Sequence, residues 1–155
     1  MDFIARHLEA TIRKHKEQYP VLAITGPRQS GKTTLLKTVF EDYRYISLEN
    51  PDNRAFATDD PVGFLREYPE RVIFDEVQQT PTLFSYIQTI VDESRQMGQF
   101  ILSGSQNFQL LNNITQSLAG RVALCKLLPF DFAEMKSANL LAETFPEACL
   151  NGFYP

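Results

Sequence analysis

The chain has 155 residues, of which 43% are hydrophobic and 22% charged, with a net charge of -4 and a pI near 5.2. A domain of this size buries about 70% of its unfolded surface, so neither disulfides nor a structural metal is needed, and the acidic charge excludes nucleic-acid binding through the overall field. No apolar run approaches the roughly 18 residues of a membrane span, and the start Met1-Asp2-Phe3-Ile4-Ala5-Arg6 lacks the regions of a signal peptide, so a cytoplasmic protein is expected, with no membrane partner.

Phe3, Ile4, Leu8, Ile12 and Tyr19 recur at helical spacing, with Arg6, Arg13, Lys14 and Lys16 mostly on the other side. This predicts an amphipathic helix over residues 3–19 that Pro20 ends. Residues 21–25 predict a strand, 26–31 a glycine loop, and a helix begins at Lys32 with Leu35, Leu36, Val39 and Phe40 inward. A second strand is expected over 45–48. Asp60-Pro61 places an N-cap and an N1 proline before a short helix that ends near Tyr68-Pro69. A third strand covers 71–75. Thr80-Pro81 opens a helix whose Phe84, Ile87, Ile90 and Val91 share a face and whose end is marked by Gly98. Strands are expected at 100–103 and 123–128, and helical stretches at 130–136 and 140–150. Strands alternating with helices imply right-handed crossovers and a mostly parallel sheet covered on both faces. Residues 1–128 read as one domain including its N-terminal helix, and residues 129–155 as a helical extension. Cys125 and Cys149 have neither zinc nor disulfide spacing and read as small buried hydrophobes.

Gly26-Pro27-Arg28-Gln29-Ser30-Gly31-Lys32-Thr33 fits the P-loop pattern Gly-x-x-x-x-Gly-Lys-Ser/Thr, between a strand and a helix as that pattern requires. Glycines let the backbone wrap so that several N–H groups converge on phosphate oxygens, and the start of the helix adds its positive end. Residues Gly26, Pro27, Arg28, Gln29, Ser30, Gly31, Lys32, Thr33 and Thr34 are therefore candidates for nucleotide binding. Lys32 suits the β- and γ-phosphates, and the Thr33 hydroxyl suits Mg2+. The strand over 71–75 ends in Asp75-Glu76, where Asp75 can hold Mg2+ through water and Glu76 can polarise an attacking water. Ser103 and Ser105, at the end of the fourth strand, either place hydroxyls near the γ-phosphate or cap the helix that follows. Arg121, before the fifth strand, either meets a γ-phosphate of its own or a neighbouring subunit or makes surface hydrogen bonds. His7 and His15 have no partners at ligand spacing, and Glu49 reads as a solvated loop end.

Taken in order, 26–33, 72–76, 102–105, Leu118-Ala119-Gly120-Arg121 and Leu128-Pro129-Phe130 resemble a family of bacterial and archaeal AAA-like P-loop ATPases. That family is related to archaeal-type and signal-transduction ATPases with a catalytic glutamate. The resemblance implies a three-layer P-loop NTPase whose five-stranded sheet runs in the order 5-1-4-3-2, with ATP, Mg2+ and hydrolysis to ADP. It also implies a larger C-terminal domain of nuclease-like fold beyond a segment similar to Asn151-Gly152-Phe153-Tyr154-Pro155, so a truncated chain is one expectation. DNA as a partner follows from resemblance alone. The expected activity is Mg-dependent ATP hydrolysis coupled to a protein partner or to that C-terminal domain, with Lys32, Glu76, Ser103, Ser105 and Arg121 as candidate catalytic residues. The alternative is a nucleotide-dependent switch with negligible turnover. Assembly into an oligomer is compatible with the sequence. A small-molecule kinase fits less well, since no arginine-rich lid is evident, and the Asn-Lys-x-Asp segment of GTPases is missing.

Overall fold

The computed structural model describes residues 4–105, 108–140, 147 and 152–154. Five parallel strands form one sheet: β1 (Val21–Gly26), β2 (Arg44–Ser47), β3 (Val72–Asp75), β4 (Phe100–Ser105) and β5 (Val122–Lys126). Their order across the sheet is β2-β3-β4-β1-β5, the expected 5-1-4-3-2 taken from the other edge. β1 lies between β4 and β5 and is buried at every position because helices cover both faces of the sheet. Its side chains alternate between two cores, as the two-residue period of a strand requires.

On one face, Val21 and Ala23 of β1 join Val72, Phe74, Phe100 and Leu102 in a cluster completed by four helices. These are α3 (Pro51–Asp59), α4 (Pro61–Glu67), α5 (Leu83–Ser94) and α6 (Phe108–Ser117). On the other face, Leu22, Ile24, Ile73, Ile101 and Cys125 pack on Ile12 of α1 (Leu8–Lys16) and on Leu35, Leu36 and Val39 of α2 (Lys32–Val39). Cys125 is buried as expected, and burial raises its thiol pKa. Cys149 and most of the helix expected at 140–150 lie outside the described residues. No helix of the described residues is long and apolar enough to cross a membrane.

Several element bounds differ from the sequence reading. The first helix begins at Leu8 rather than near residue 3, because the His7 N–H donates to Glu134 Oε1 at 2.7 Å. Helix α3 was not expected, although Asn50 caps it through Asp52 and Asn53 N–H and Pro51 fills N1. Asp60 caps α4 as predicted, accepting from the Gly63 N–H at 2.9 Å. The helix opened near Thr80 closes at Ser94 with Arg95 left-handed (φ 53°), three residues before Gly98. β4 runs on through Ser105, which sets Ser103 inside the strand. A further helix, α7 (Phe132–Ser137), starts with a capping box of Asp131 and Glu134. Its contacts with residues 6 and 7 cross the expected division at residue 128.

Candidate functional site

The carboxyl ends of β1, β3 and β4 meet at one edge of the sheet. There the register sets Ile24 beside Ser103, Gly26 beside Ser105, and Phe74 beside Leu102. The loop from β1 to α2 turns through two left-handed residues, Gln29 (φ 62°) and Gly31 (φ 87°). Gly26 is required by contact: a Cβ there would lie 2.1 Å from the Leu127 carbonyl oxygen. Ser30 is fully buried, and its Oγ has no hydrogen-bond partner among the described residues. The buried Lys32 ammonium donates to the Gly26 carbonyl at 3.2 Å and the Pro27 carbonyl at 2.8 Å. Burial lowers its pKa, a shift that the charges of Glu76 and Asp75 oppose. A desolvated cation, a buried unpartnered hydroxyl and the start of a helix together fit a phosphate group, which would supply the missing acceptor and the missing charge.

β3 brings the second half. Asp75 Oδ2 accepts from the Thr33 hydroxyl at 2.9 Å and from the Tyr45 hydroxyl, and Oδ1 accepts from Ser103 Oγ and from the Glu76 N–H at 3.1 Å. Burial and Asp75 together raise the Tyr45 pKa and keep its hydroxyl a donor. With both oxygens held by protein donors, Asp75 suits contact with a cation through water. Thr33 and Asp75 thus fit Mg2+ beside a bound phosphate. Glu76 is left-handed (φ 56°), and its Oε2 accepts from the Gln78 amide and from Ser105 Oγ at 3.3 Å. Gly104 permits this, since a Cβ there would meet Gln78 Oε1 at 2.2 Å.

Lys32, Thr33, Asp75, Glu76, Ser103 and Ser105 are therefore gathered at one place, on the P-loop formed by Gly26, Pro27, Ser30 and Gly31. Arg28, Gln29 and Thr34 are exposed at its rim. Arg121 is not brought there. It precedes β5 at the amino end of the sheet, where its carbonyl accepts from the Val21 N–H, and its guanidinium pairs with Asp92 of α5 at 2.5 and 2.8 Å. The length of β1, roughly 17 Å at strand rise, separates it from the loop, which corrects the expectation of a contact with phosphate in its own subunit. His7 and His15 lie away from this edge: His7 Nδ1 lies 2.7 Å from Asp131 Oδ2, and His15 Nδ1 lies 3.5 Å from Cys125 Sγ. Glu49 is exposed, as expected. Two site residues escaped the sequence reading: Tyr45 and Gln78. For Tyr45 the available signal was a polar aromatic in a strand next to the one carrying Asp75.

A family profile described as an AAA domain matches residues 18–136. Uncharacterized proteins of Mycobacterium bovis and Mycobacterium tuberculosis are each 35% identical over 124 residues, which cover 79% of this chain and 28% of theirs. The chain thus spans less than a third of the length of these relatives. Among solved structures, a Walker-type ATPase of Pyrococcus abyssi superposes with a TM-score of 0.59 at 18% identity, over 91% of this chain and 60% of its own. AMPPCP-bound DnaA from Aquifex aeolicus gives 0.58 at 19% identity, over 96% and 57%. Domain III of the replication initiation protein DnaA of Thermotoga maritima gives 0.55 at 22% identity, over 87% and 68%. These likenesses establish the P-loop NTPase fold.

Proposed function

The chain belongs to the AAA domain family, and we propose that it is a magnesium-dependent ATPase whose site is the P-loop edge of the sheet. The observation that carries this reading is the 2.9 Å hydrogen bond from Thr33 to Asp75. It joins the phosphate loop to the strand whose next residue, Glu76, offers a base. In this reading the loop N–H groups and Lys32 bind the phosphates of ATP. Thr33 and Asp75 would hold Mg2+, which would neutralise charge on the phosphates. Glu76 takes a proton from the attacking water, and Ser105 keeps its carboxylate in place. Ser103 orients Asp75. General-base assistance of this kind is worth about 10^2 to 10^4 in rate.

A second reading is a nucleotide-dependent switch with negligible turnover. It is favoured by the hold of Gln78 and Ser105 on Glu76, which engages Oε2 of the carboxylate before any water arrives. Hydrolysis, where it occurs, is proposed to act on a protein partner or on the further chain that the longer relatives possess. A DNA partner has support only from the likeness to DnaA and from family resemblance, and the net charge of -4 works against it.

The test is calorimetric titration with ATP, ADP and GTP in Mg2+, with phosphate release followed on the same samples. Lys32→Ala is expected to abolish binding. Glu76→Gln is expected to retain ATP and to lose at least about 10^2 in turnover if Glu76 is the base. Unchanged release in Glu76→Gln removes Glu76 from that role, and binding without release in the wild type selects the switch.

A further inference from the structure

Arg6 stands just before α1, where helical periodicity assigns it to a solvated face, yet its side chain is only 5% exposed. Burying a guanidinium is costly unless its donors are met. Here Nη1 donates to the Ser30 carbonyl at 2.9 Å and Nη2 donates to the Leu128 carbonyl at 2.6 Å, while Nε, which has no hydrogen-bond partner among the described residues, forms an ion pair with Glu134 Oε1 at 3.1 Å. The guanidinium also lies 4.5 Å over the Phe130 ring. One side chain therefore joins the P-loop, the segment after β5 and α7.

Its carboxylate partner is equally constrained. Glu134 Oε1, ion-paired with Arg6, accepts from the His7 N–H at 2.7 Å, and Oε2 accepts from the Asp131 N–H at 3.0 Å as half of the capping box of α7. His7, Asp131 and Glu134 form a cluster of metal-ligating types, but Glu134 and Asp131 are already engaged by Arg6, His7 and each other's backbone. The cluster is a clasp between the N-terminal segment and α7, and Arg6 extends it to the loop.

The consequence lies in the Ser30–Gly31 peptide. In a trans peptide the carbonyl and the following N–H point in opposite directions. A guanidinium fixed on the Ser30 carbonyl therefore fixes the Gly31 N–H on the side away from Arg6, and polarises the peptide so that this donor is stronger. Gly31 opens α2, where the N–H groups of a P-loop face the anion. We propose that Arg6 is a positioning residue of the nucleotide site, and that Glu134 ties the setting of the Ser30–Gly31 peptide to the placement of α7. Displacing α7 then loosens phosphate binding, which makes the helix after the sheet a control point for the site. This rests on the ATP-binding reading above.

The test is titration of ATP in Mg2+ against the wild-type chain, Arg6→Gln, Arg6→Lys, Glu134→Gln and the Arg6→Gln/Glu134→Gln double variant, with thermal melts of the nucleotide-free proteins. Arg6→Gln is expected to weaken ATP binding about tenfold or more, within the range of ordinary coupling between sites. Arg6→Lys, which retains one donor for the Ser30 carbonyl, recovers most of that loss. Glu134→Gln weakens binding about threefold, and the double variant matches Arg6→Gln because Glu134 acts through Arg6. Affinity within twofold of wild type in Arg6→Gln, or additive losses in the double variant, overturns the proposal. If Arg6→Gln does not fold, Arg6→Lys and Glu134→Gln decide: wild-type affinity in both overturns the proposal, and a loss in Glu134→Gln that exceeds the loss in Arg6→Lys supports it. A wild-type chain that binds no ATP overturns the nucleotide reading together with this proposal, whereas wild-type binding left unchanged by these variants overturns the proposal alone.

Discussion

Two glycines at the phosphate edge are held by contact, and each gives a distinct expectation. At Gly26 the obstacle to a Cβ is the Leu127 carbonyl oxygen, 2.1 Å away, and backbone cannot rotate aside. Overpacking of this kind costs about 1–3 kcal/mol, so Gly26→Ala is expected to lower the melting temperature by about 2–12 °C and to abolish ATP binding. A melt within 1 °C of wild type would show that the loop yields at no cost. At Gly104 the obstacle is the flexible end of Gln78, so the fold survives and Gln78 moves off Glu76. Gly104→Ala is expected to reduce phosphate release about tenfold, part of the worth of a positioned base, while leaving ATP affinity within twofold. Equal effects on both would mean that Gln78 does not act through Glu76. The P-loop and Asp75-Glu76 were legible in the sequence because their chemistry is set by local spacing and backbone. Tyr45 and Arg6 were not, since their partners lie 24 or more residues away and periodicity describes only a residue's own element.

At the scale of elements, capping chemistry explains both a success and an omission. Asp60-Pro61 announced α4, and Asn50-Pro51 carries the same N-cap and N1 signal for α3, which nonetheless went unread because its apolar face is short. The strand order came through family resemblance, because alternation of strands and helices limits the topology without choosing it. The turn between α5 and β4 shows how tertiary contact sets an element's end. Gly98 is left-handed with Lys16 and Tyr43 close around it, and the buried Tyr43 hydroxyl donates to the Gly98 carbonyl. Burial, aided by Asp42, raises the Tyr43 pKa from 10.0 to about 12. The unfolded chain therefore loses this proton first as pH rises. The stabilisation is fully present below pH 10 and is lost progressively toward pH 12. Integrated over that window the loss approaches about 2–3 kcal/mol. Denaturant unfolding of wild type and Tyr43→Phe across pH 9 to 12 is expected to give curves that converge as pH rises. A constant gap between them would deny the hydroxyl any linked titration.

For the whole molecule, the site's chemistry is a statement about stability as well as catalysis. The fold carries a buried Ser30 hydroxyl without a partner among the described residues and a Lys32 ammonium whose charge is disfavoured by burial. Each is a cost that the two cores on either side of the sheet must offset, and each is relieved by an anion in the loop. Ligand that binds only the native state adds about 2.7 kcal/mol at a hundredfold excess over its dissociation constant. For a chain of this length that corresponds to a rise of about 5–11 °C in melting temperature. Saturating MgATP is expected to produce such a rise in the wild type. Chelation of Mg2+ should remove most of it, because Thr33 and Asp75 then have no cation to share with the phosphates. Lys32→Ala should melt at or above the wild-type temperature without nucleotide, since it deletes a desolvated charge, yet show no rise when MgATP is added. A variant that melts lower and still responds to MgATP would mean that Lys32 is part of the scaffold rather than of the phosphate site.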